Sequence, residues 1–187
     1  AWECGDPGVQ FSGTINRMHT CPVDGSINSS NPCSEYFFLD NTSCNLGSIN
    51  LIKYENTAQG KQEFRDTVRC AIIGMDALIC CSDYPTQELR DRSQEYRTLG
   101  LGFTNLGAKI LSMGWEYGGL AAREYASHIT DIMTACAYQT SAELAAHVGA
   151  FPAWERNRYA MERVLTEHKK AGVEAHWDFL EGMHAPD

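Results

Sequence analysis

Residues 31–51 read Asn31-Pro32-Cys33-Ser34-Glu35-Tyr36-Phe37-Phe38-Leu39-Asp40-Asn41-Thr42-Ser43-Cys44-Asn45-Leu46-Gly47-Ser48-Ile49-Asn50-Leu51. An amide, a thiol and a carboxylate (Asn31, Cys33 and Glu35) stand at alternate positions. In an extended strand or loop, that spacing turns all three side chains to one side. Such a cluster holds a hydrogen-bonding orienter, a sulfur and a general base, and Pro32 restrains the turn into it. The short apolar runs at 35–39 and 46–52 read as short strands among loops. A polar loop with an incidental cysteine has the same spacing. A thiol hydrolase wants a histidine beside the sulfur to make the thiolate, and the nearest along the chain is His19. Spacing alone leaves these readings open.

Around this stretch the composition is ordinary for a globular chain. Its 187 residues are 43% apolar and 21% charged, which suits one domain or one large piece of a bigger one. Fifteen Lys and Arg against 24 Asp and Glu leave a net charge of −9. That balance argues against nucleic acid or an anionic membrane as a partner. The longest mostly apolar run, 70–81, is interrupted by Asp76 and falls far short of the ~20 residues a membrane span requires. No secretory layout opens the chain, so a cytoplasmic location is expected. The first turn, Gly5-Asp6-Pro7-Gly8, reads as if cut from a longer chain.

The eight cysteines form no CxxC pair, which weakens zinc-ribbon and thioredoxin readings. A chain of this length buries a core without disulfide staples. Cys70, Cys80, Cys81 and Cys136 fall in helical apolar patterns, where a thiol is expected to act as a small hydrophobe.

The character of the chain changes near residue 60. Residues 1–60 read as loops and short strands, and the remainder as helices. Phe64, Val68, Ala71, Ile72, Met75, Leu78 and Ile79 predict a helix over 62–82, and a more polar one follows from Pro85 to 96. Leu99, Phe103, Leu106, Ile110 and Leu111 predict a third, with Gly100, Gly102 and Gly107 marking close packing. The longest helix is expected over 120–148 with Gly149 as its C-cap, and a last one after Pro152 to about 170. Residues 171–187 are weakly patterned. The helical stripes read as core, which leaves the chemistry to the first sixty residues.

Other motifs fail. Gly100-Leu101-Gly102 lacks the third glycine of a dinucleotide loop, because position 105 is Asn. The six histidines form no HExxH and no i, i+4 pair, so a protein-bound metal site has little support. The sequons at Asn28 and Asn41 carry no meaning without a secretory signal.

The ordered series of segments is more specific than any one of them. Gly5-Asp6-Pro7-Gly8, Thr14-Ile15-Asn16-Arg17 with His19-Thr20-Cys21-Pro22, Asn31-Pro32-Cys33-Ser34-Glu35, and Ser43 through Leu51 resemble ribonucleotide reductase large chains. The likeness continues through Arg97-Thr98-Leu99-Gly100-Leu101-Gly102-Phe103 and Ser141-Ala142-Glu143-Leu144-Ala145. It is nearest to the adenosylcobalamin-dependent class, and the eleven-residue step from Cys33 to Cys44 also resembles that class. The iron-dependent class, and an inactive helical assembly module of a split reductase, are the rivals.

The resemblance implies an α/β fold, part of a ten-stranded barrel with the radical cysteine on an inner loop. Residues 1–60 would supply the active-site loop and barrel strands, and 61–187 the helical outer part of the same incomplete domain. By the same resemblance, Cys33 carries a thiyl radical that takes the substrate's 3′-hydrogen. Glu35 takes the 3′-hydroxyl proton, Asn31 binds and aligns the substrate, and Cys44 is one of two thiols that end as a disulfide. The second thiol is expected outside this stretch of sequence, since Cys4 and Cys21 occupy other family positions. Thiyl chemistry predicts a shielded, neutral Cys33 with no adjacent cation. The implied cofactor is adenosylcobalamin, with no cobalamin-binding residue identifiable. The implied partners are a ribonucleotide, a thioredoxin-like reductant and the remainder of the reductase.

Overall fold

The computed structural model describes residues 2–172. Two parallel strands, β1 (Asn45–Asn50) and β2 (Leu99–Thr104), pair from Asn45↔Leu99 to Asn50↔Thr104. Parallel strands need a long crossover, and here it contains α2 (Ala58–Cys81) and α3 (Gln87–Tyr96). Before β1 comes the short α1 (Ser12–Arg17); after β2 come α4 (Leu106–Ser112), α5 (Leu120–Val148) and α6 (Trp154–Ala171).

The helix termini follow local chemistry. Thr57 and Thr86 each accept a backbone N–H three residues on, from Gly60 and Leu89, satisfying donors that the first turn leaves unpaired. Gly149 ends α5 at φ 92°, a conformation that favours glycine.

The core forms where α2 crosses α5 beneath β1. Phe64, Val68 and Ile72 of α2 meet Ile129, Ile132 and Met133 of α5, with Ile49 and Leu51 above them. Each such side chain, fully buried, contributes about 1.5–3 kcal/mol. A second cluster joins Cys21, Leu39, Tyr96 and Ala153 and seats the segment before β1 on α3 and the start of α6.

Strand alternation gives the sheet two unlike faces. Asn45, Gly47 and Ile49 turn toward α2: Asn45 Nδ2 donates to the Met75 carbonyl at 2.9 Å, and Ile49 is buried. Leu46 and Ser48 on the other face are exposed, Leu46 to 66%. Parallel sheets are ordinarily covered on both faces, so this face is an incomplete surface.

Several expectations change. Leu99–Thr104 is a strand, not the start of a third helix. Gly100 lets it lie close against Leu46 and Cys44, and β1 offers backbone partners that outweigh local helical spacing. The first sixty residues contain α1 besides their loops and strand. Cys70, Cys80 and Cys81 are exposed on the outer face of α2, not packed as small hydrophobes; Cys136 alone of the four is half-buried. Leu78 is also outward, 54% exposed. The fold is α/β and helix-rich as expected, but the described residues hold two strands in an open sheet, so the ten-stranded barrel is not reproduced. Helices over 120–148 and after Pro152 appear as predicted. Most of the weakly patterned tail lies outside the described residues. Among the described residues, no helix is long and apolar enough to cross a membrane.

Candidate active site

A hairpin closed by an antiparallel bridge between Ser30 and Phe37 presents the Asn31–Glu35 segment. Within it, Ser34 N–H donates to the Asn31 carbonyl at 3.0 Å, making a β-turn with Pro32 and Cys33 at its centre. Pro suits the second position of such a turn and Asn the first. Ser34 then reverses the chain at φ 61°. Asn31 is bound twice to Tyr36: its N–H donates to the Tyr36 carbonyl at 3.3 Å, and its Oδ1 accepts from Tyr36 N–H at 3.0 Å.

The alternate spacing of Asn31, Cys33 and Glu35 is therefore not that of an extended strand. Asn31 turns its side-chain oxygen into the hairpin, while Cys33 stands at the tip. Pro32, Cys33, Ser34 and Glu35 are all exposed. The expected shielding of Cys33 is absent, because the turn projects past the Ser30–Phe37 bridge and no described residue closes over it. From below, Gln10 Nε2 donates to Ser30 Oγ at 2.7 Å and to Ser34 Oγ at 3.0 Å.

Cys44 lies where the segment after the hairpin enters β1. It is half-buried, and burial pushes its thiol up to about 11, with the Glu35 carboxylate adding to the shift. The structure thus brings Glu35 within electrostatic reach of Cys44. A Cβ on Gly100 of β2 would stand 3.0 Å from Cys44 Sγ and 2.5 Å from Leu46 Cδ2. The absence of a side chain at Gly100 is what lets the two strands close around the sulfur.

Tyr36 links hairpin and strands. Its hydroxyl is 2.9 Å from Thr42 Oγ1 and 3.0 Å from Thr98 Oγ1, immediately before β2. Thr98 Oγ1 also donates to the Ser43 carbonyl at 2.6 Å, beside Cys44. Burial raises the Tyr36 phenol above its ordinary value. The base of the hairpin rests on aromatic contacts: Phe38 meets His19, Tyr36 and Tyr96 at centroid distances of 5.6, 6.2 and 5.4 Å.

All eight cysteines are free. Cys21 is buried with Leu39, Tyr96 and Ala153, and Cys4 Sγ donates to the Asp6 carbonyl at 3.6 Å. The described residues contain no group of three or more His, Cys, Asp or Glu able to hold a metal ion.

Tyr36, Thr98 and Gln10 escape the sequence reading; Gly100 is marked there for close packing, but not as the neighbour of Cys44. Tyr36 falls in an apolar run and reads as one more hydrophobe. The available signal is its hydroxyl, since a buried phenol needs a partner. That partner, Thr98, is 62 residues away, and nothing local announces it.

The family model described as "Ribonucleotide reductase, barrel domain" matches residues 1–183. A vitamin B12-dependent ribonucleotide reductase of Streptomyces avermitilis is 45% identical over 188 residues, covering 97% of this chain and 20% of the relative. One from Rhodopirellula baltica is 45% identical, covering 91% of this chain and 17% of its own length. A vitamin B12-dependent ribonucleoside-diphosphate reductase of Mycobacterium tuberculosis is 35% identical, covering 83% of this chain and 23% of the relative. The chain spans about a fifth of the length of the curated relatives it matches. With the family model covering nearly every residue, the chain belongs to the ribonucleotide reductase barrel-domain family.

Proposed function

We propose that this chain is the radical-bearing part of an adenosylcobalamin-dependent ribonucleotide reductase, acting on a ribonucleoside di- or triphosphate. The observation that carries the reading is the placement of Cys33. Its thiol tips a turn whose own residues supply an amide and a carboxylate, and Tyr36, next after that carboxylate, reaches Thr42 in the segment that leads to Cys44.

In this reading the Cys33 thiyl takes hydrogen from C3′, and Glu35 accepts the 3′-hydroxyl proton while the 2′-hydroxyl leaves as water. A general base so placed typically adds ~10²–10⁴-fold. Cys44 and a second thiol deliver two electrons and two protons and join as a disulfide. Cys33 then returns its hydrogen to C3′. The balance is one ribonucleotide and two thiols to one deoxyribonucleotide, one disulfide and one water. A thioredoxin-like dithiol restores the pair.

Cys44 suits its part because its raised value keeps it a neutral thiol, holding the proton it must deliver. Asn31, with Oδ1 held by Tyr36 N–H, orients the loop as well as the sugar. When bound, adenosylcobalamin supplies the one-electron oxidation that starts the cycle. The exposed Cys33 thiol is open to that oxidation, but the described residues do not form the shielded site that the chemistry calls for. No described residue is assigned to hold the cofactor. The second thiol comes from the remainder of the reductase, since Cys21 is enclosed in its own cluster.

The test is Cys33→Ser in the complete reductase, assayed for deoxynucleotide with adenosylcobalamin and a dithiol. Abolished turnover with retained nucleotide binding is expected. Full activity in the variant, or cofactor-independent turnover in the parent, would overturn the reading.

A further inference from the structure

We propose that Tyr36 is a positioning residue, whose hydroxyl ties the Cys33 hairpin to the start of β2 and so fixes the hairpin relative to the segment that carries Cys44. This rests on the function proposed above. It adds a residue that does not touch substrate.

Tyr36 has a hold on both sides. Its backbone grips Asn31 at the start of the Cys33 turn through two hydrogen bonds. Its hydroxyl reaches Thr42, two residues before Cys44, and Thr98, two residues before Gly100, whose bare backbone abuts the Cys44 sulfur. One side chain thus spans the two places where the sulfur chemistry is located. Phe38, packed 6.2 Å from the Tyr36 ring, steadies it from the side.

Proton counting singles out this hydroxyl. Thr42 Oγ1 donates to the Leu39 carbonyl at 2.5 Å, and Thr98 Oγ1 to the Ser43 carbonyl at 2.6 Å. Each threonine has one proton and has placed it on a carbonyl. The remaining proton in the cluster of three oxygens belongs to Tyr36 and can complete only one of the two contacts; the proposed tie to β2 is its donation to Thr98. Removing the Tyr36 hydroxyl therefore breaks the tie and leaves no threonine proton without an acceptor. A Tyr36→Phe chain keeps its ring packing and its backbone grip on Asn31, so it should fold while the hairpin gains freedom.

Loss of position, unlike loss of a substrate contact, acts on the reacting geometry more than on binding. In the complete reductase, Tyr36→Phe should lower kcat about three- to tenfold, the effect of one hydrogen bond, with KM for the ribonucleotide nearly unchanged. Thr98→Val should lower kcat at least as much, since it also takes the donor from the Ser43 carbonyl, and Thr98→Ser, which keeps the hydroxyl, should restore it. The double variant Tyr36→Phe/Thr98→Val should be no worse than Thr98→Val alone, since that variant already removes the tie. An unchanged kcat in Tyr36→Phe, an effect on KM alone, strictly additive losses, or a Thr98→Ser enzyme as impaired as Thr98→Val would each overturn the proposal. Cys33→Ser in the same preparation separates the two ideas. If Cys33→Ser stays active, the reductase reading itself fails; if it is inactive while Tyr36→Phe is unimpaired, only the positioning role falls.

Discussion

Cys44 and Gly100 are neighbours across the two strands, and the sulfur lies 3.0 Å from where a Cβ on Gly100 would stand. Gly100→Ala forces Leu46 and Cys44 aside together. Leu46 is 66% exposed and can swing into solvent, whereas Cys44 is held at the strand entrance. We expect a stability cost of about 1–3 kcal/mol, as for ordinary overpacking. On the proposed function, a larger proportional loss of deoxynucleotide formation by the complete reductase should accompany it. Thermal unfolding and turnover of the variant check the pair; wild-type turnover would show that the sulfur tolerates displacement.

The thiols should separate by reactivity. With its value at about 11, Cys44 is about one part in a thousand thiolate near pH 8. Cys21 is buried and likewise pushed up to about 11. Cys4, Cys33, Cys70, Cys80 and Cys81 are exposed. Timed iodoacetamide labelling read by peptide mass spectrometry should modify those five well before Cys21 and Cys44. Early labelling of Cys44 would contradict its burial against β2.

Arg97 anchors the entrance to β2. It caps α3 in the left-handed region at φ 48°. Its guanidinium donates through Nε to Asp76 Oδ1 at 2.9 Å and through Nη2 to the Asp76 carbonyl at 2.8 Å, with Nη2 also 2.9 Å from Oδ2. The Asp76 hydrogen bond holds the guanidinium above its ordinary range. Both side chains are less than a quarter exposed, and a forked, partly desolvated pair is stronger than a surface one. Asp76→Ala should cost about 1–3 kcal/mol in urea unfolding, and a loss below about 0.3 kcal/mol would place the pair with ordinary surface bridges.

His19 confers a pH dependence on the base of the hairpin. Burial lowers its imidazole below the ordinary 6.5, although the Gly25 carbonyl and Asp24 pull the other way. As pH falls, the unfolded chain takes the proton first, so stability is lost. The contribution is complete above the ordinary value and fades as pH falls through the folded one. The urea midpoint should drop between about pH 7.5 and about pH 5.5, and His19→Gln should flatten that drop. An equal drop in the variant would assign the effect to other groups.

The sequence showed its longest periodic helices clearly, because Ile129, Ile132 and Met133 recur at a spacing that only a helix brings to one face. The family was legible in the ordered motifs around Cys33, Glu35 and Cys44, since side-chain types are written one by one in the chain. β2 was not legible: Leu99 to Phe103 has apolar spacing that suits a helix, and its strand state depends on β1, more than fifty residues earlier. The turn at Cys33 was hidden for a related reason. Alternate spacing describes an extended chain, and the hydrogen bonds between Asn31 and Tyr36 fold it back.

Residue types and their order alone were enough to point to the family and to the helical bulk of the chain, and they supply the cysteine on which the proposed function rests. Partnership across distance came only with folding: β2 against β1, Gly100 beneath the Cys44 sulfur, and the Tyr36 hydroxyl on Thr98. Local propensity acts over a few residues, whereas hydrogen bonds and close contacts between remote segments exist only once the chain has packed.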